Sequence, residues 1–290
     1  MHRIDTPTAQ KDKFGAGKNG FTRGNPQTGT PATELDDDYF DMLQEELATV
    51  VEATGVALDK AKRNQLLTAL NNLFPTTGRL LNVQTFTSSG TYTRTPGMRF
   101  CIVKGIGGGG AGGGAPATAS GNVGLGAGGH AGAYGEGQFT AAQIGASQTV
   151  TVGSGGTGSP TSGGNGGSSR LGALITFGGG MGASSSGNTA PPLNAGNGNA
   201  SAVCTGANII SGTGQLSIIG QITSTSVGYS GTGANSPFGA GGGAINTTGN
   251  GVAANGYGAG GSGACAFSSN ATARSGGNGS QGFVIIFEYS

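Results

Sequence analysis

The chain has 290 residues, a net charge of +1, 34% apolar and only 9% charged residues, and 64 glycines. Near-zero net charge removes the electrostatic pull toward nucleic acid or an anionic membrane surface; no apolar run reaches the ~18 residues of a membrane-spanning helix. Three cysteines at irregular spacing, Cys101, Cys204 and Cys265, support neither a disulfide framework nor a zinc site and read as small, partly buried thiols.

The distribution is uneven. Of the glycines, 57 follow residue 80, but only seven of the 27 formal charges do. A charged N-terminal end therefore precedes a nearly uncharged, glycine-built end. The first residues, Met1-His2-Arg3-Ile4-Asp5, lack the apolar core of a signal peptide, so synthesis in the cytoplasm is expected.

Residues 1–33 carry Lys11, Lys13, Lys18 and Arg23, with Phe14 and Phe21 as the only Phe, Tyr or Trp side chains. Such a segment is expected to be an extended arm without a core of its own, ordered by a partner. Residues 34–80 read as a helical oligomerisation segment. Thr33 is the expected cap of a first helix, with Glu34 and Asp36–Asp38 favourable at its positive end. Tyr39, Phe40, Leu43, Leu47, Val50 and Val51 then recur at steps of three and four, which makes one apolar face. Gly55 can end the helix. A second helix is expected from Asp59 to Leu73, with Leu66, Leu70 and Leu73 on one face and Pro75 as its stop. Two helices this short cannot form a stable domain alone, so their apolar faces call for partner copies around a symmetry axis.

From Leu80 the period becomes strand-like. Strands are expected at 83–87 and 90–94 about a Ser88-Ser89 turn, and at 99–106, 148–152, 174–177, 215–222 and 283–289. FVIIF within the last is apolar on both faces, which places that strand centrally. The fold class is thus mixed: an arm, short helices, then over 81–290 an all-β, sandwich-like domain with long glycine-rich loops. Two readings fit the tracts near 105–137, 153–170, 178–200 and 228–264. They are either mobile loops or extended three-residue-per-turn helices of the polyglycine II kind, packed side by side through backbone hydrogen bonds.

Little here resembles catalytic chemistry. Gly105, Gly107 and Gly110 mimic a dinucleotide-binding loop, but no helix-forming sequence follows and no acidic residue occurs before Glu136. Beyond residue 80 the only carboxylates are Glu136 and Glu288, and the chain has only two histidines. No enzyme activity, cofactor or metal is expected. Large side chains within the glycine tracts are rare: His130, Tyr134, Met181, Tyr229, Phe238, Tyr257 and Phe267. Each is either an inward plug that anchors its loop or a contact residue of a binding surface, and two or three are expected to be exposed. Residues 181–238, with Pro191-Pro192 and QLSIIGQI, are unusual enough to form an inserted tip element.

The opening IDTPTAQKDKFGAGKNGFTRGNPQTGTPAT, followed by LDDDYFDMLQEEL, resembles the N-terminus of tail-fibre proteins of contractile-tailed phages and related prophages. FTSSGTYTRTPGMRFCIVKGIGGGGAGGG, QTVTVGSGGTGS and the closing GSQGFVIIFEY resemble the glycine-rich domain at the tips of many phage tail fibres. Tyr92 stands where that family often carries Trp. The resemblance implies a homotrimeric structural adhesin of the virion. Lys11, Lys13, Phe14, Lys18, Phe21 and Arg23 would attach it to a tail or baseplate protein. The helices would join three subunits, and the tip would touch a bacterial outer-membrane protein or lipopolysaccharide, with no nucleic acid and no membrane insertion. The rival reading is a glycine-rich structural or ice-binding protein without a virion role; a polysaccharide depolymerase would need acidic pairs that the sequence lacks.

Overall fold

The arm doubles back on itself because glycines allow tight turns. Gly15 and Gly17 adopt φ of 111° and 72°, and the loop they make is closed by paired bonds between Gln10 and Gly20, N to O at 2.8 and 2.9 Å. This computed structural model describes residues 2–74 and 78–290, so the expected stop at Pro75 lies outside the described residues. The chain forms two units, Met1–Gly78 and Arg79–Ser290.

In the first unit the expectation of an arm without a core needs correction. Ile4 and Ala9 are buried, and Thr6 and Thr8 bond the backbone of Glu34. Helix α1 spans Asp37–Glu52 and is capped by Asp36, which accepts from the Tyr39 N–H at 2.9 Å. Thr33, the expected cap, instead accepts from Thr22 N–H and donates to Thr8 C=O, because the arm engages it first. Gly55 follows the helix at φ 75°. Helix α2 spans Gln65–Leu73 and starts later than expected. Asp59 instead caps a local turn through the Ala61 N–H. Ala48 and Val51 of α1 and Ala69 of α2 are buried where the two helices meet.

The second unit contains strands β1 (Leu80–Phe86), β2 (Gly90–Thr93), β3 (Phe100–Ile106), β4 (Val123–Gly126), β5 (Tyr134–Thr140), β6 (Ser147–Thr151), β7 (Ser169–Leu171) and β8 (Ile175–Phe177). After these come β9 (Ser185–Thr189), β10 (Leu193–Ala195), β11 (Cys204–Thr205), β12 (Ile210–Ser211), β13 (Gly220–Ser224), β14 (Val227–Tyr229), β15 (Cys265–Ala266) and β16 (Phe283–Tyr289). One turn of helix, α3 (Ala141–Ile144), follows β5. Two five-stranded antiparallel sheets, ordered β1-β16-β3-β5-β12 and β11-β8-β7-β6-β2, share one apolar core. The first contributes Cys101, Val103, Phe139, Val284 and Ile286; the second contributes Tyr92, Val150, Leu171, Ile175 and Phe177. Burial pushes the Cys101 thiol up to about 12. The two strands flanking Ser88-Ser89 lie in different sheets, so that turn carries the chain across the core. The run read as a strand at 215–222 pairs regularly only from Gly220.

The central strand β5, YGEGQFT, was not expected. Its glycines mask the strand pattern, yet a Cβ on Gly135 would strike the Cys204 thiol of the facing sheet, and one on Gly137 would meet the Phe139 ring of its own strand at 2.9 Å and the Ile175 methyl of the facing sheet at 3.3 Å. Close approach of the two sheets therefore requires glycine there.

Beyond the sheets, the glycine tracts are ordered and follow the close-packed reading. β3 runs directly into residues 107–115, whose N–H groups turn to three neighbours in strict rotation. Gly107, Gly110 and Gly113 donate to Ala133, His130 and Ala127; Gly108, Ala111 and Gly114 donate to Gly167, Gly164 and Thr161; Gly109, Gly112 and Ala115 donate to Ser280, Gly277 and Arg274, at 2.6 to 3.1 Å throughout. Partner numbers fall by three as donors rise by three, so these neighbours run antiparallel. The carbonyls of the same segment accept from Gly180 and Ala183, from Gly261 and Ala264, and from Gly156. One extended segment is thus bonded to six others, the arrangement of packed three-residue-per-turn helices. Its nine residues span roughly 28 Å at about 3.1 Å each. A Cβ at Gly112 would overlap the Ser262 carbonyl, and one at Gly109 the Ala259 carbonyl.

Two consequences are testable. Gly112→Ala should cost about 3 kcal/mol or more, because backbone on both sides must move apart, whereas Gly243→Ala, with nothing within 4 Å of the added carbon, should be near neutral; chemical denaturation of both variants reads the difference. The second concerns Glu288, a fully buried carboxylate in the sandwich core. Burial pushes its pKa up, but the Thr95 hydroxyl and N–H, the Tyr92 hydroxyl and the Gln84 amide all donate to it, and together they hold the pKa below the ordinary value. A depressed folded pKa means stability that is present above the unfolded value, near 4.3, and lost as pH falls through the folded one. Melting measured from pH 6 downward should show that acid loss in the wild type and a shallower slope in Glu288→Gln.

Candidate functional site

The bundle's interior is backbone and small side chains, so larger groups are forced to its rim. The far ends of the extended segments collect the loops 116–122, 159–162 and 267–273 and strand β9. They are tied together by Ala119 N–H to Asn188 Oδ1 at 3.0 Å, Gly121 N–H to Ser268 Oγ at 2.8 Å and Thr118 N–H to Asn270 C=O at 2.8 Å. These loops carry no formal charge.

The seven rim candidates separate by what they touch. His130 is buried, 1% exposed, which removes it from any contact surface. Its Nδ1 accepts from the Ser217 N–H at 3.0 Å, which puts the proton on Nε2 for donation to the Gly198 carbonyl at 2.6 Å. His130 is thus a staple between residues 127–133 and residues 198–217. The expected inserted tip element at 181–238 needs correction: its β11 and β12 pair with β8 and β5 of the sandwich, and Ala183, Gly231 and Ala234 are bonded into the glycine bundle. Tyr134, Phe238 and Tyr257 form an aromatic cluster around Phe283, with ring centroids 4.9 to 5.4 Å apart. The Tyr134 hydroxyl donates to Glu136, whose other oxygen lies 3.1 Å from Lys104 Nζ. This cluster ties the 235–257 loop to the outer face of the first sheet, although Phe238 stays 41% exposed. Met181 is half-buried beside Asn197 and Gly198, and Phe267 packs on the Val123–Leu125 apolar cluster. Tyr229, on β14, is 48% exposed.

Sequence reasoning missed the aliphatic groups that share the 209–229 stretch with Tyr229. Ile209, Ile210, Leu216, Ile218, Ile219 and Val227 are all exposed. The signal was the run QLSIIGQI, which reads as a strand with no exposed apolar face assigned to it. Beside this element lies a cleft of about 380 Å³, lined by Ala131, Gly132, Tyr134, Gly212, Thr213, Gln215, Asn235, Ser236 and Pro237.

In the first unit, Phe40, Leu43, Leu47 and Val50 follow a three-four-three spacing, the a/d seam of a coiled coil. Phe40 and Leu47 are each 46% exposed. Among the described residues, no helix covers this seam, because Ala48 and Val51 face α2 instead. Leu66 is half-buried, and Leu70 and Leu73 are exposed on α2. Tyr39 belongs elsewhere: its ring stands edge-on to Phe21 at 5.3 Å and to His2 at 6.0 Å, so it fastens the arm to the helix. Lys11, Lys18 and Arg23 are exposed, Phe14 is 62% exposed, and Lys13 donates to the Phe21 carbonyl with its ammonium 5.7 Å from the Phe14 ring centre. Phe14, Phe21 and Tyr39 line an open cleft of about 510 Å³ with His2, Arg3 and Asn19.

Against known proteins, one curated relative, "Uncharacterized protein StfP" of Escherichia coli (strain K12), is 81% identical over 73 residues, which is 25% of this chain and 35% of the relative. The chain therefore matches about a third of that protein's length. The glycine-rich domain family matches residues 85–289, which spans the sheets and packed glycine segments apart from residues 80–84 of β1. On that match the chain belongs to the glycine-rich domain family.

Proposed function

We propose that the chain is a structural tail-fibre adhesin of a contractile-tailed phage or phage-tail-like particle, not an enzyme. It would act in the virion, anchored by its arm to a tail or baseplate protein. The receptor would be an outer-membrane protein or lipopolysaccharide of a host bacterium. The observation that carries this reading is the glycine-packed bundle: a rigid scaffold whose core is backbone and whose larger side chains are displaced to rim and loops. That is the build of a display surface. The exposed seam on α1 supports a second element of the reading, assembly of three copies around an axis, which multiplies weak tip contacts into effective adsorption. The N-terminal resemblance to tail fibres supplies the attachment end.

Adsorption of the purified full chain to bacterial cells tests the reading. With uncharged far-end loops, binding should change little between low and moderate salt; no adsorption to any enteric strain, or adsorption that collapses with modest salt, would contradict it. The assembly element predicts a light-scattering mass three times that of the chain. Leu47→Asp, which puts a charge in the seam, should reduce it to that of one chain without unfolding the second unit.

A further inference from the structure

We propose that the cleft between residues 212–215 and 235–237 is a binding site for a neutral saccharide, which gives the adhesin reading above, on which this rests, a chemical class of ligand. The cleft holds about 380 Å³ and lies beside Tyr134, within the range of small-ligand sites. Its walls are fixed before any ligand arrives. On one side Gly212 N–H bonds Tyr134 C=O at 2.9 Å, Ala131 N–H bonds Gln215 C=O at 3.0 Å, and Gly214 N–H bonds Ala202 C=O at 2.9 Å. On the other, Ser236 Oγ donates to Tyr257 C=O and accepts from Phe238 N–H at 3.1 Å. A preformed site loses little entropy on binding.

The lining has what a pyranose presents: an aromatic ring for its C–H groups, and side-chain amides and hydroxyls for its ring of donor-acceptor hydroxyls. Asn235 Oδ1 is taken by Gly241 N–H at 2.8 Å, so its NH₂ is left as the free donor. Among the described residues, the Thr213 hydroxyl and the Gln215 side-chain amide have no hydrogen-bond partner, and both residues are exposed. The Tyr134 hydroxyl is committed to Glu136, which orients its ring. No formally charged residue lines the cleft, so a uronic acid or phosphorylated sugar would be desolvated without a cation to meet it.

The test is saturation-transfer NMR on the full chain with methyl glycosides of glucose, galactose, mannose, rhamnose and N-acetylglucosamine, and with glucuronic acid as the anionic comparison. At least one neutral glycoside should receive transfer at its ring protons, more strongly than the acid. Gln215→Ala and Thr213→Val, which change exposed side chains that take no part in the fold's hydrogen bonding, should each weaken binding tenfold or more with an unchanged melting curve. Absence of transfer to every neutral glycoside, preference for the acid, or transfer indifferent to both substitutions would overturn the proposal. Cells that adsorb the protein while no glycoside binds would sink the saccharide site alone and favour a protein receptor. Glycoside binding without adsorption would instead remove the adhesin reading and leave the site.

Discussion

The second unit depends on one interaction, the backbone hydrogen bond between neighbouring extended glycine segments. Each such bond contributes only about 0.5–1.5 kcal/mol net, and each glycine ordered costs more conformational entropy than any other residue. The structure offsets that cost by density: in 107–115 every residue donates, and several carbonyls also accept. Bonding to six neighbours is possible because successive residues point in three directions and no side chain stands between backbones. The sheets serve as the clamp. β3 feeds the central segment, and β16 closes the chain beside it, so the register of the sandwich sets the register of the bundle.

That constraint explains where function can reside. A lattice of backbone has little interior to spare for polar or charged groups; the buried His130 has two backbone partners of its own. Larger and chemically distinctive side chains gather instead at the aromatic cluster around Phe283, the β13–β14 hairpin with Tyr229, the cleft beside Tyr134 and the far end.

Most of the sandwich was legible in the sequence. RFCIVKGI, QTVTV, LITF and FVIIFEY announce strands through alternation or continuous apolar character, and they form β3, β6, β8 and β16. β5 was not legible, because Gly135 and Gly137 erase the pattern while serving the close contact that demands them. The lattice itself left a signal that overall composition obscures. Ser162-Gly-Gly-Asn165-Gly-Gly-Ser168 has a polar residue at every third position, the spacing of one face of a three-residue-per-turn segment. The central run GGGGAGGGA lacks that mark because no face of it meets solvent. For the candidate site, the rarity of large residues in the tracts singled out seven side chains, but distinguishing plug from exposed group needed the fold: His130 and Tyr229 look alike in sequence, yet one is buried and the other 48% exposed. The helical seam was readable from spacing alone, whereas Tyr39 was drawn off it by Phe21 and His2 from the arm.

The most direct test of the central claim is amide hydrogen exchange, resolved by residue, across 107–115. The account predicts that Ala111 and Gly112, which belong to no helix or strand, exchange as slowly as Val103 in β3 or Ile286 in β16, because their N–H groups are buried and bonded to Gly164 and Gly277. Exchange at the rate of an unstructured chain would show the tracts to be loose loops on a sandwich and would contradict it.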